Sequence, residues 1–194
     1  MRYQCVDREV ELALLRGVQA GDEAAFDAVY AAFNARLFGF LARLTRRRDV
    51  AEDLLEETWL RFVRHAARLE PDTQIGAWLF TVARNLHVSY CRTRHAESAG
   101  GHLGLWPVRA AESPFESAAQ TQFQERVDAA LAALPVTLRE AILLVGVEGL
   151  PSAAAATICG ISADAMRQRV RRARMLLASR LGYTLGDLRR ASGA

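Results

Sequence analysis

One stretch limits the possible folds more than any other: "DEAAFDAVYAAFNARLFGFLARL", residues 22–44. Phe26, Val29, Tyr30, Phe33, Leu37, Phe40, Leu41 and Leu44 recur at three- and four-residue spacings, which puts them on one broad stripe of a helix. A stripe that wide must be covered by other elements. The neighbouring segments supply helices, because no alternating apolar–polar strand pattern is evident. The spacing predicts a first helix from Asp7 to Ala20, ended by Gly21. A third begins after "RRR", with Asp49 and Glu52 in the register of a capping box, and Pro71 ends it. A fourth spans "IGAWLFTVARNLHVSYCRTRH", residues 75–95.

The composition changes near residue 96, where "AESAGGHLGLWPVRAAESPFESAAQ" is rich in Gly, Ser and Pro and holds no period. Helical pattern returns with "FQERVDAALAAL". Beyond Pro135 comes "TLREAILLVGV", with Thr137 and Glu140 in capping-box register. The expected architecture is all-α. It has two small helical domains, 1–95 and 123–184, a flexible linker over 96–122, and a tail over 185–194. Apolar residues make up 51% of the chain, enough for such cores and too many for generic disorder.

The net charge is only +3, so contact with nucleic acid has to come from local patches. All 25 basic side chains are arginine, whose planar fork suits phosphate and guanine. Cys5, Cys91 and Cys159 are odd in number and widely spaced, which speaks against a disulfide framework. No apolar run reaches the ~20 residues of a membrane span. The first sixteen residues carry charges where a secretory signal is apolar. A cytoplasmic protein with no membrane insertion of its own is expected.

The sharpest local patch is "ISADAMRQRVRRARMLL", residues 161–177. Ile161, Met166, Val170, Ala173 and Leu177 form an apolar seam, and Arg167, Arg169, Arg171, Arg172 and Arg174 cover the remainder. Upstream, Ser152 is placed to cap a short helix from Ala153 to Cys159. Gly160 supplies a turn, and Ser162 caps the second helix. Ala155 and Ala156 allow the two helices to cross closely. This is the pattern of a helix-turn-helix whose second helix enters a negatively charged groove.

The first domain carries two opposed charge patterns. "DVAEDLLEETW" holds Asp49, Glu52, Asp53, Glu56 and Glu57 and no base, whereas the fourth helix holds Arg84, Arg92, Arg94, His87 and His95. Partners of opposite sign follow from that. His87, Cys91 and His95 share one helix face. The first and last lie about 12 Å apart on a straight helix, however, so one ion reaches only two of them. A closed site would need Cys5 or His102, and neither a metal nor another cofactor is expected. No nucleophile–base pair, phosphate-cradling glycine loop or carboxylate pair marks an enzyme.

With these segments together, the chain resembles the bacterial extracytoplasmic-function (ECF) sigma factors of RNA polymerase. "AGDEAAFDAVYAAF", "DVAEDLLEETWLRF" and "AWLFTVARNL" are similar to successive parts of the family's domain two. "ALAALPVTLREAILLVGVEGLPSAAAATICGISADAMRQRVRRAR" is similar to its domain four. The resemblance implies a non-enzymatic initiation factor. Its partners would be core RNA polymerase (the clamp helices and flap), promoter DNA and an anti-sigma factor. It places polymerase contacts on Asp49, Glu52, Asp53, Glu56 and Glu57. Contacts to the −10 element fall on Glu70, Asp72, Thr73, Gln74, Arg84, Asn85 and His87. Contacts to the −35 element fall on Ser162, Arg167, Gln168, Arg169, Arg171, Arg172 and Arg174. Trp59, Trp78 and Phe80 read as core. Three departures bear on promoter sequence: Gly76 and Thr81 stand where the family often has a basic residue, the helix after Ser152 lacks acids, and Asp164 sits in the first turn of the reading helix. A mimic that titrates an anti-sigma factor and a free-standing helix-turn-helix regulator are the rival readings.

Overall fold

In a computed structural model of the chain, residues 8–98 and 118–183 are described. The backbone clusters into two units, Met1–Val108 and Arg109–Ala194. Among the described residues every regular element is helical. The expected linker core (99–117) and the tail lie outside them, as do Cys5 and His102.

The aromatic stripe of residues 26–44 is the axis of the first unit. It lies on α2 (Glu23–Thr45), which packs against α1 (Arg8–Gln19), α3 (Arg48–His65) and α4 (Ile75–Ser98). Val29, Phe33, Leu37, Phe40, Leu41 and Leu44 are buried, joined by Leu15, Phe62, Leu79 and Phe80 from the other helices. Asp22 caps α2 by accepting the Ala24 amide. The Trp59 indole donates to Asn34 Oδ1 at 3.0 Å and packs 4.9 Å from Tyr30 and 6.0 Å from Phe26. Trp59 and Phe80 are core, and Trp78 is half-buried against Phe62.

The second unit is built on α8 (Ala163–Leu181). Against it pack α5 (Ala118–Ala132), α6 (Val136–Ile142, continued by a π-helical turn Leu143–Val147) and α7 (Ser152–Cys159). Its core holds Leu131, Leu134, Leu143, Leu144, Ile158, Met166, Val170 and Ala173. Arg139 is buried within it, donating to the carbonyls of Leu131, Ala132 and Leu134 at 2.9, 2.6 and 2.9 Å. These are C-terminal carbonyls of α5 and the turn after it, which have no partner within a helix.

Three expected caps are corrected. The cap position of α3 is Arg47, not Asp49. Thr45 Oγ1 accepts the Arg47 amide and closes the turn early, so Asp49 is already helical and pairs with Arg47. Pro135 and Pro151 occupy the cap positions of α6 and α7, leaving Thr137 and Ser152 inside the helices. Proline presets the entering φ but offers no side-chain acceptor. The α4 helix runs to Ser98 and α5 starts at Ala118, so both extend into the glycine-rich segment.

Candidate protein and nucleic-acid interfaces

On α3 the acids point outward in two classes. Asp49, Glu52 and Glu57 engage Arg47, Arg48 and Arg61, the last two pairs at 2.8 Å. The Arg47 guanidinium holds the Asp49 carboxyl below its ordinary value. Such exposed pairs add little stability, but they neutralise much of the charge presented. Asp53 and Glu56 are exposed and join no ion pair among the described residues. The same helix exposes Leu60 and Val63 one to two turns on. The surface is therefore acidic at one end and apolar at the other.

The loop between α3 and α4 is held at its base from a distant helix. Gln19 Nε2 donates to Leu69 O at 2.8 Å and to Ala66 O at 3.3 Å. The Thr73 amide donates to Glu70 O, turning the chain. Glu70, Asp72 and Gln74 are exposed and Thr73 is partly so. Beyond the loop, Asn85 is exposed on α4 and Arg84 half-buried. His87 departs from its expected place: it is 3% exposed, on the inner face, with Nε2 3.5 Å from Cys91 Sγ. Polarity alone put it outside; the helix phase turns it inward. Among the described residues no three metal-ligating side chains gather. The His95 side chain is outside that description.

The helix-turn-helix forms from α7, a turn over 160–162, and α8. Gly160 takes the left-handed conformation (φ 65°) that L side chains rarely adopt, and the Ile161 amide closes back on Ala156 O. Ser162 Oγ accepts the Ala165 amide at 3.2 Å, so of the N-terminal caps expected in this unit this one forms as expected. Ala155 and Ala156 are buried at the crossing. Arg167, Gln168, Arg171, Arg172 and Arg174 are exposed on α8, and Arg169 is half-buried. Asp164 pairs with Arg167 along the first turn.

Sequence reasoning missed Gln19, Asn34, Arg139 and Glu11, whose contacts span distant parts of the chain or run between helices. Periodicity carries no signal for a partner in another element. One clue existed: Gly76 sits in the first turn of α4 beside the bulky apolar Ile75, Trp78, Leu79 and Phe80.

Comparison with known proteins adds to this geometry. A family profile described as Sigma-70 region 2 matches residues 29–97, and one described as Sigma-70, region 4 matches 124–177. The "ECF RNA polymerase sigma factor EcfG" of Rhodopseudomonas palustris is 37% identical over 75% of this chain and 78% of its own. The "RNA polymerase sigma factor CarQ" of Myxococcus xanthus is 34% identical over 84% and 92%. Among solved structures, the sigma factor RpoE of Bartonella quintana, in complex with the anti-sigma factor NepR, superposes with a TM-score of 0.68. It is 29% identical, covering 81% of this chain and 96% of that one.

Proposed function

Because the chain belongs to the extracytoplasmic-function group of bacterial RNA polymerase sigma factors, we propose that its two units divide promoter recognition between the −10 and −35 elements. It acts without catalysis of its own: it binds core RNA polymerase and directs initiation at specific promoters, while the phosphodiester chemistry belongs to the polymerase. The observation that carries the division of labour is α8, a Ser162-capped helix held by a left-handed Gly160 turn and exposing Arg167, Arg171, Arg172 and Arg174 along it. A major groove admits such a helix, and arginine suits both phosphate and guanine.

In this reading residues 1–95 dock on the polymerase and read the −10 element, 96–122 connect, and 123–184 read the −35 element. Asp53 and Glu56 bring uncompensated charge to the clamp helices, and Asp49, Glu52 and Glu57 line the same helix already neutralised. Asn85 and Arg84 contact the melted −10 strand. The loop of Glu70, Asp72, Thr73 and Gln74 borders a pocket for a flipped base. His87 supports α4 from inside. On α8, Arg171, Arg172 and Arg174 contact phosphate or base edges beside Gln168 and Arg169. Arg167 works from its pair with Asp164, and Ser162 sets the helix start. An anti-sigma factor masks these surfaces; the support is the NepR-bound relative at 29% identity. Among the described residues no helix is long and apolar enough to cross a membrane, and the cytoplasm, where polymerase works, is the proposed location.

The test is transcription in vitro with core polymerase on fragments of the source genome, mapping start sites. Starts sharing paired upstream elements are expected. Binding to core without starts would favour a mimic. Absence of core binding, with duplex DNA still bound, would favour a free-standing regulator.

A further inference from the structure

Where α1, α2 and α4 meet in the first unit, a carboxylate from one helix caps another. Glu11 Oε1 on α1 accepts the Gly76 amide of α4 at 2.7 Å, across 65 residues of sequence. The amide lies in the first turn of α4, where N–H groups lack helical partners and negative charge is favoured. The Gln74 carbonyl already serves the Trp78 amide, so Glu11 does for this helix what a cap side chain does elsewhere. Gly76 is buried, and a Cβ there would stand 2.9 Å from Phe33 Cε1 and 3.1 Å from the Glu11 oxygen. Any larger residue displaces the carboxylate or a core ring. Arg36 completes the junction, its guanidinium 5.2 Å from the Phe33 ring centre and 5.7 Å from that of Phe80. Its charge acts on Glu11 as well.

The junction lies at the base of the helix that presents Arg84 and Asn85. Nine residues of helix separate Gly76 from Asn85, about 14 Å, so a tilt at Gly76 is magnified at Asn85. A shift of about 1 Å is enough to spoil a recognition geometry. We propose that Glu11 is a positioning residue for −10 recognition: by accepting the Gly76 amide it sets the angle at which α4 presents Arg84 and Asn85 to the melted strand. The proposal rests on the −10 reading above.

The test uses the full-length protein with core polymerase on a promoter whose −10 region is pre-melted. It measures initiation from the cognate −10 sequence relative to a substituted one. A loss of folded protein lowers both and leaves the ratio unchanged; a misplaced α4 lowers the ratio. Glu11→Ala is expected to reduce it about tenfold, the equivalent of one hydrogen bond to a charged group. Glu11→Gln keeps an acceptor and should retain the ratio. Glu11→Asp keeps a half-buried carboxylate but draws it back by one methylene, so it should lose the ratio in a chain less prone to misfold. Asn85→Ala is the control. A ratio lost in Asn85→Ala but kept in Glu11→Ala and Glu11→Asp overturns the positioning role alone. A ratio kept in all three overturns the −10 reading beneath it.

Discussion

At the scale of single residues, one buried and one half-buried charged group mark where the chain has no slack. Arg139 holds three carbonyls at and just past the end of α5. Arg139→Ala would leave the buried Leu134 carbonyl without a donor and strip one bond each from Leu131, which keeps the Leu134 amide, and from half-buried Ala132. An unsatisfied buried polar group costs more than a hydrogen bond returns, so a loss of about 3 kcal/mol is expected in urea unfolding of the second unit. A change under about 0.5 kcal/mol would mean that water replaces the guanidinium. Glu11 makes a subtler prediction. Burial pushes its carboxyl above the ordinary 4.5, against the lowering effects of the Gly76 amide and of Arg36 and Arg8. The folded form therefore binds the proton more tightly than the unfolded chain, and stability falls as pH rises from 4.5 through the folded value. Glu11→Gln abolishes that titration. Its melting temperature should gain on the wild type as pH rises through the window and then level off. A pH-independent difference would show that Glu11 ionises as freely folded as unfolded.

At the scale of elements, α8 combines a charge pattern with an internal brake. Arg167, Arg171 and Arg174 follow one another along the helix at four- and three-residue steps, yet Asp164 ties up the first of them. An ion pair this exposed contributes little to folding, so its effect should be read in DNA binding. Each phosphate contact contributes close to one unit of slope in log affinity against log salt. Arg171→Ala is expected to reduce that slope by about one. Asp164→Ala releases Arg167 and removes a negative charge facing the backbone, so binding should tighten at low salt with a steeper slope. If both variants keep the wild-type slope, α8 does not lie against phosphate. The turn before it is equally specified, by Gly160 at φ 65° and the Ser162 cap. The acidic helix α3 shows the reverse economy: three of its five acids are balanced by its own flanking arginines, leaving Asp53 and Glu56 as its uncompensated charge.

At the scale of the whole molecule, each unit owns a core. Phe33, Phe40, Phe62 and Phe80 fill the first, and Leu143, Leu144 and Met166 the second. Trp59 and Trp78 both pack against Phe62 in the first unit. In a Trp106→Phe chain, tryptophan fluorescence should therefore follow the first unit alone, while far-UV circular dichroism follows both. Two cores of different size and polarity are expected to unfold at different urea concentrations, giving curves that do not coincide. Coincident curves would show that the units unfold as one.

The amino-acid sequence by itself determined the helices, their apolar faces, the turn at Gly160 and the Ser162 cap. These depend on residues three or four apart, so the information is local. It also carried the family, since several ordered motifs recur in one chain. Only tertiary structure decided which caps formed, because Arg47, Pro135 and Pro151 hold cap positions set by where the chain must turn to pack. Packing turned His87 inward. The Gln19, Arg139 and Glu11 contacts were likewise invisible in sequence. Each joins a side chain to a backbone group of another element, and every residue offers the same backbone groups, so nothing in residue identity announces the partner.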